Sequence, residues 1–214
     1  MRSRSRCTAL VLLAAVLQWP AAIAAQESRF ELGLRGVVLL GKGTPSNDMI
    51  GEGLIGRFAL SEAWRLGVAL DSVTFDYETP NKTLAIPATN VVDGTNSWQR
   101  VSVLVERRFD GDRRWSWHWL AGLGHADVDA VSNVRGQRAD GGTFDIATTA
   151  DDELHVFAGG GAHREIKRRW LLDATLTVEH HDTHYELVDL VSGARGTIGA
   201  QTVYGIALGM SYRF

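Results

Sequence analysis

The sequence is nearly free of cysteine: Cys7 is the single one in 214 residues. It precedes an apolar run, Ala9 to Leu17, that follows the basic Arg2, Arg4 and Arg6 and leads to Ala22-Ile23-Ala24. This order of basic, apolar and small-residue segments predicts a secretory signal peptide over residues 1–25, cut after Ala24 or Ala25. Cys7 lies before the apolar run, so it is no lipoprotein cysteine, and residues 26–214 carry no thiol. A disulfide framework, a zinc–thiolate centre and a cysteine nucleophile are thereby excluded. Long apolar runs are also missing after residue 25, where none nears the roughly 18 residues of a spanning helix. Positive charge is not in excess. Taking the three arginines of residues 1–25 from 22 basic side chains leaves 19 against 25 acids, a net of −6. That balance is no nucleic-acid footprint. Residues 26–214 form one domain on length alone.

What is present is alternation. From Phe214 backwards, every second residue is Tyr212, Met210, Leu208, Ile206, Tyr204 and Thr202, with Arg213, Ser211, Gly209, Ala207, Gly205 and Val203 between them. A period of 2 is a strand with one apolar face. A chain end is usually frayed and polar, so an apolar stripe running to the last residue asks for an apolar surrounding. Seven further segments alternate in the same way. They are Arg29–Leu40, Glu52–Leu60, Trp64–Tyr77, Trp98–Phe109, Trp115–Val128, Glu153–His163 and Trp170–His180. In Trp64–Tyr77 the apolar phase changes near Asp71-Ser72, after which Val73, Phe75 and Tyr77 align, and this predicts a bulge.

The segments are joined by connections of alternating length. Ser61–Ala63, Asp110–Arg113 and Arg164–Arg168 are short, whereas Gly41–Gly51, Glu78–Ser97, Asp129–Asp152 and His181–Gln201 are long. Pro45, Pro80 and Pro87 all fall in long connections, as a hydrogen-bonded ladder requires. Aromatic residues cluster at the segment ends. Phe30, Phe58, Trp64, Phe109, Trp115, Trp117, Trp170, Tyr212 and Phe214 lie at the short-turn end, and Phe75, Tyr77, Trp98, Tyr185 and Tyr204 at the other. Two belts mark two membrane interfaces. Without a spanning helix, a membrane-crossing chain must close into a barrel, because lipid offers no partner to unpaired backbone groups. The prediction is all-β: an eight-stranded antiparallel transmembrane β-barrel over residues 26–214, with short periplasmic turns and long extracellular loops. A soluble lipocalin-type barrel would turn its apolar face inward and needs no belts.

With its export signal, eight alternating segments, two belts and Ser211-Tyr212-Arg213-Phe214 end, the chain resembles the small outer-membrane barrels of the OmpA transmembrane-domain and OmpX type. The resemblance implies a monomer in the outer membrane of a Gram-negative bacterium, in contact with outer-membrane lipid and lipopolysaccharide. It also implies that Tyr212 and Phe214 form the terminal signal read by the outer-membrane assembly machinery, after periplasmic chaperones. No peptidoglycan-binding domain is expected after Phe214.

If the apolar faces meet lipid, the opposite faces line the interior. That set contains Glu31, Arg35, Arg57, Arg65, Asp71, Arg100, Glu106, Arg108, Asp173, Glu179 and Arg213, together with His118. Eight strands enclose only enough space for side chains, and charges buried there must pair. Five acids face six arginines, which predicts a web of ion pairs with no open pore. Gly67, Gly122 and Gly209 are among the glycines expected to leave room for the arginines. The densest titratable cluster is His180, His181, Asp182 and His184, where the seventh segment meets its loop. Histidines near carboxylates can bind metal or act as bases. Lipid A deacylases are barrels of similar size, but their His-x-Ser-Asn pattern is absent here. The outer-membrane palmitoyltransferases carry an N-terminal helix for which this chain has no room. The acidic loop Asp127–Glu153 lacks the EF-hand spacing. The sequence therefore predicts no catalytic residues, no cofactor and no metal. It points first to a non-enzymatic structural or surface-interaction barrel, with a narrow channel for ions or small solutes and a lipid A-modifying enzyme as alternatives.

Overall fold

A computed structural model describes residues 29–41, 48–77, 84, 88–92, 94–111, 114–128, 134–150, 153–182 and 184–214. The expected signal peptide and the three prolines Pro45, Pro80 and Pro87 lie outside them. Eight long strands close into an antiparallel barrel: β1 (Phe30–Gly41), β2 (Asp48–Ala59), β3 (Trp64–Tyr77), β5 (Gly94–Asp110), β6 (Trp115–Val128), β9 (Glu153–Lys167), β10 (Trp170–His181) and β13 (Gln201–Arg213). Each pairs with its neighbour along the chain, and β13 returns to β1 to complete the ring. Closure is direct: Leu32 lies opposite Tyr212 and Leu34 opposite Met210. The terminal Phe214 donates its N–H to the Phe30 carbonyl at 3.0 Å, and its ring packs on Phe30 at 5.6 Å.

The alternation in the sequence becomes two surfaces. Leu34, Leu66, Val68, Val101, Val103, Leu123, Leu172, Leu176, Leu208 and Met210 all point outward and are exposed. Glu31, Arg57, Asp71, Arg100, Glu106 and Arg108 point inward and are buried. A water-facing protein does not display such a continuous aliphatic belt over a charged interior. The arrangement suits a surrounding of hydrocarbon.

Five short strands, absent from the sequence reading, extend beyond one end: β4 (Ala88–Val92), β7 (Val134–Arg138), β8 (Thr143–Ala150), β11 (Tyr185–Asp189) and β12 (Arg195–Ile198). They form a second antiparallel sheet in the order β12-β11-β8-β7-β4. Its inner face, with Val134, Phe144, Ile146, Tyr185 and Leu187, packs on Val37, Leu39, Met49, Val73, Trp98 and Val203 of the barrel strands. This apolar cluster fills the outer mouth.

Three expectations are corrected. β3 contains no bulge, and its pairing with β2 and β5 runs in unbroken register through Asp71, Ser72 and Val73. The apolar phase changes because Val73 points into the apolar mouth cluster while Asp71, on the same inward face, sits in the charged lumen. Among the described barrel strands a register shift lies instead between Trp170 and Leu171, where β10 pairs with β9, and the outer sheet has another between Ala88 and Asn90. β9 continues past His163 to Lys167, leaving Arg168-Arg169 as the turn. Finally, Trp98 and Tyr185 do not belong to an outer aromatic belt. At 1% and 0% exposure they are buried in the mouth cluster, whereas Tyr204 does face outward. The side chains of Phe75 and Tyr77 lie outside the described residues.

Candidate functional site

The lumen is built from the inward positions of all eight barrel strands. At the short-turn end, Glu31 on β1 takes both terminal nitrogens of Arg108 on β5, at 2.9 and 2.5 Å, and the Nε of Arg213 on β13 at 3.1 Å. Arg65 on β3 approaches the same carboxylate at 3.8 Å. Arg108 also donates through Nε to Glu106 at 2.6 Å. Glu106 forms an ion pair with Arg57, whose Nε lies 2.8 Å away, and Arg57 donates a hydrogen bond on to Asp173 of β10 at 2.5 Å. His163 of β9 lies between the two carboxylates, with Nε2 3.3 Å from Glu106 and Nδ1 3.0 Å from Asp173. His118 of β6 packs tilted against it at 4.3 Å and meets the Thr175 hydroxyl at 3.1 Å, which in turn donates to Asp173 at 2.9 Å.

Nearer the middle, Arg35 grips Asp71 through two nitrogens at 2.9 and 2.6 Å. A cavity of about 10 Å³, the size of a single water, remains between Arg35, Arg57, Asp173 and Ser211. Towards the outer mouth, Arg100 pairs with Glu179 at 2.9 Å, and Glu179 also accepts from Thr177 at 2.9 Å. His181 Nε2 lies 3.3 Å from Glu179; its ring stacks on His155 at 5.2 Å and packs tilted against Trp98 at 5.1 Å. His155 in turn meets the Ser102 hydroxyl at 3.1 Å. Gly205 leaves room beside this group, since a Cβ there would displace the Thr177 hydroxyl and a Glu179 carboxylate oxygen. Of the glycines expected to make room for arginines, Gly209 does so for Arg35. Gly67 and Gly122 instead accommodate Leu104 and Phe157.

Each of the 11 charged residues named from the sequence thus has an oppositely charged group within 4.0 Å, with Arg65, Arg108 and Arg213 sharing Glu31. Arg35–Asp71 and Arg100–Glu179 stand alone as pairs, so removing one member there leaves a buried charge without its partner, whereas Glu31, Arg57, Glu106 and Arg108 share partners. Glu106, His118 and His163 also bring three potential ligand atoms within 4.8 Å. Arg57 and Arg108 already engage both oxygens of Glu106, and a dication there would face two guanidinium groups. The group is better suited to holding strands together than to holding a metal.

No protein-family model matches the chain, and no curated protein does. Solved structures do. Neisserial surface protein A superposes with a TM-score of 0.53 at 9% identity, over 88% of this chain and 99% of that one. OprG from Pseudomonas aeruginosa gives 0.56 at 10% identity, over 88% and 97%. A major outer membrane protein from Thermus thermophilus gives 0.51 at 13% identity, over 86% and 99%. The chain has the fold of a small outer-membrane β-barrel. At such identities the likeness is one of fold, and the barrel's own side chains must carry any statement about function.

In this barrel the histidine-rich segment does not converge. His180 faces outward and bonds to Thr202 at 3.2 Å, while His181 faces the lumen. Asp182 and His184 are both exposed, with 4.0 Å between their nearest polar atoms. Adjacent residues of a strand take opposite faces, so His180 and His181 cannot act on one substrate. The sequence reading missed the group that does form, Ser102, His155, His181 and Glu179, because its members come from three strands. It also missed Asp189. That buried carboxylate accepts the N–H groups of Asp145, Val191 and Ser192 at 3.0, 3.2 and 3.2 Å, the Ser192 hydroxyl, and Arg138 at 2.5 Å. Burial pushes its pKa up, but the Ser192 hydroxyl and the three backbone donors outweigh this and hold it down at about 2. The turn it organises needs Gly193, whose φ of 74° favours a residue without Cβ.

Proposed function

We propose that the protein is an integral outer-membrane barrel, exported through a cleaved signal peptide and handled by the outer-membrane assembly machinery, whose role is exercised at the cell surface. In this reading the five-stranded outer sheet meets lipopolysaccharide and external partners, and the lumen neither conducts nor catalyses. The observation that carries it is the filled interior. Arg57, Arg108, Glu31, Glu106 and Asp173 interlock across the short-turn end, and the Trp98–Phe144–Leu187 cluster closes the other. A buried guanidinium–carboxylate network of this density has few alternative pairings to switch between. Among the described residues, Ser102 and His155 are each 1% exposed and lie beneath the mouth cluster.

The purified barrel in planar bilayers tests this. The expected result is no steady single-channel conductance, and an unchanged lipid A mass spectrum when the protein is expressed in a Gram-negative host. Regular ion-conducting openings would favour the narrow-channel reading. A shifted lipid A acyl pattern, abolished by His155→Ala, would favour a lipid-modifying enzyme.

A further inference from the structure

All six arginines of the lumen meet carboxylates; two arginines on the outer wall do not. Arg107 of β5 and Arg164 of β9 occupy outward positions, between Val105 and Phe109 and between Ala162 and Ile166. Among the described residues, neither has a carboxylate within 4.0 Å. Both guanidinium groups lie over aromatic faces. The Arg107 guanidinium lies 5.6 Å from the Trp64 ring and 5.0 Å from that of Phe109, and Arg164 lies 5.2 Å from Trp115. Register builds the frame around Arg107: Trp64 is its partner on β3 and Trp119 its partner on β6. The two indoles meet edge to face at 5.3 Å.

An unpaired guanidinium on the lipid side of a barrel is costly unless it reaches the polar interface or a counter-charge. Arg107 is three residues from Asp110, the last residue of β5. That is about 10 Å along the strand and less along the membrane normal, because barrel strands tilt, so the long Arg107 side chain can reach headgroup phosphates at the short-turn interface. Ring faces interact with the flat of a guanidinium and leave its in-plane N–H donors unspent. Those donors match an oxyanion, and phosphate takes them in bidentate fashion. The surrounding Trp64, Phe109, Trp119 and Val105 offer apolar surface for the acyl chains below it.

We infer that Arg107, framed by Trp64, Phe109 and Trp119, is a binding site for the phosphate of a glycerophospholipid on the barrel wall. The inference rests on the outer-membrane reading above, in which the short-turn end faces the phospholipid leaflet and the five-stranded sheet faces lipopolysaccharide. Arg164 beside Trp115 extends the same basic, aromatic rim.

The test is native mass spectrometry of the full barrel, released from detergent micelles doped with phosphatidylglycerol or with a phosphate-free diacylglycerol. The wild type should retain phosphatidylglycerol saturably and not diacylglycerol. R107Q should weaken that retention about tenfold, the loss of one charge-assisted phosphate contact. R107K, keeping the charge but not the fork, should fall between them. R195Q, on the outer sheet, should match the wild type. Equal retention by wild type and R107Q, or retention of diacylglycerol as strong as of phosphatidylglycerol, would overturn the site. Tighter retention of lipid A, lost in R107Q, would overturn the assignment to the phospholipid leaflet. Insertion of each protein into phosphatidylglycerol vesicles, read by heat-modifiable gel migration, separates the two levels. A wild type that does not insert overturns the membrane reading itself. Inserted barrels that bind lipid alike overturn only the Arg107 site.

Discussion

The lower and upper parts of the barrel use the same strands with opposite polarity. On β5, Arg100 points into the lumen and Val101 out; two residues earlier, Trp98 points in and Gln99 out. On β3, Asp71 points in beside an outward Leu70, and Val73 then points in beside an outward Thr74. The two strands reverse at the same level, since Asp71 pairs with Arg100 and Val73 with Trp98. On these two strands, below that level the outside is apolar and charge is stored within; above it the inward residues are apolar and the outward Thr74 and Gln99 are polar. The backbone does not change, so the reversal records a change of surroundings. Where hydrocarbon surrounds the strands, the interior is the only place for charge. Where water does, the interior returns to the ordinary apolar core.

The two regions should therefore fail differently. The largest effect is expected from Glu106→Ala, which removes the carboxylate shared by Arg57 and Arg108 and leaves two buried guanidinium groups with one carboxylate each, Asp173 and Glu31. It should destabilise the whole barrel by roughly 3–5 kcal/mol, read as a lower urea midpoint by tryptophan fluorescence in vesicles, with Glu106→Gln milder. A loss confined to the outer sheet would break the comparison. Leu187→Ala, in the apolar cluster, should cost about 2–3 kcal/mol, and only above the reversal. Amide exchange should rise in β8, β11 and β12 while heat-modifiable migration persists. The smallest effect concerns Asp189, worth about 1–2 kcal/mol to the outer sheet. Its carboxyl is depressed from 3.8 to about 2. The stability it supplies is complete above about pH 4 and is lost as pH falls through 2. Amide protection of Val191 and Ser192 should follow that curve and become pH-independent in Asp189→Asn.

Much of the barrel was legible in the chain because a bilayer imposes a strict rule on each strand separately. Every second residue must be apolar, whatever its neighbours do, so the eight segments and the inward charges could be read one strand at a time. The apolar mouth was not legible. A Val, Trp or Tyr reads the same whether it meets lipid or packs in a core, and so Trp98 and Tyr185 resembled belt residues and Val73 resembled a bulge. Nor could the five outer strands be read, since pieces of 4 or 5 residues such as β7, β11 and β12 are strands only because neighbours hydrogen-bond to them.

By itself the sequence determined which face of each strand seeks lipid and which residues carry charge into the interior, for these are local consequences of side-chain polarity and a period of 2. The tertiary structure alone decided who meets whom. Glu31 finds Arg108 and Arg57 finds Asp173 across a closed ring. His180 and His181 part to opposite sides of one wall, and the loops fold into a sheet that stops the barrel's mouth. Those outcomes depend on closure and register, which bring distant positions together and which no single strand encodes.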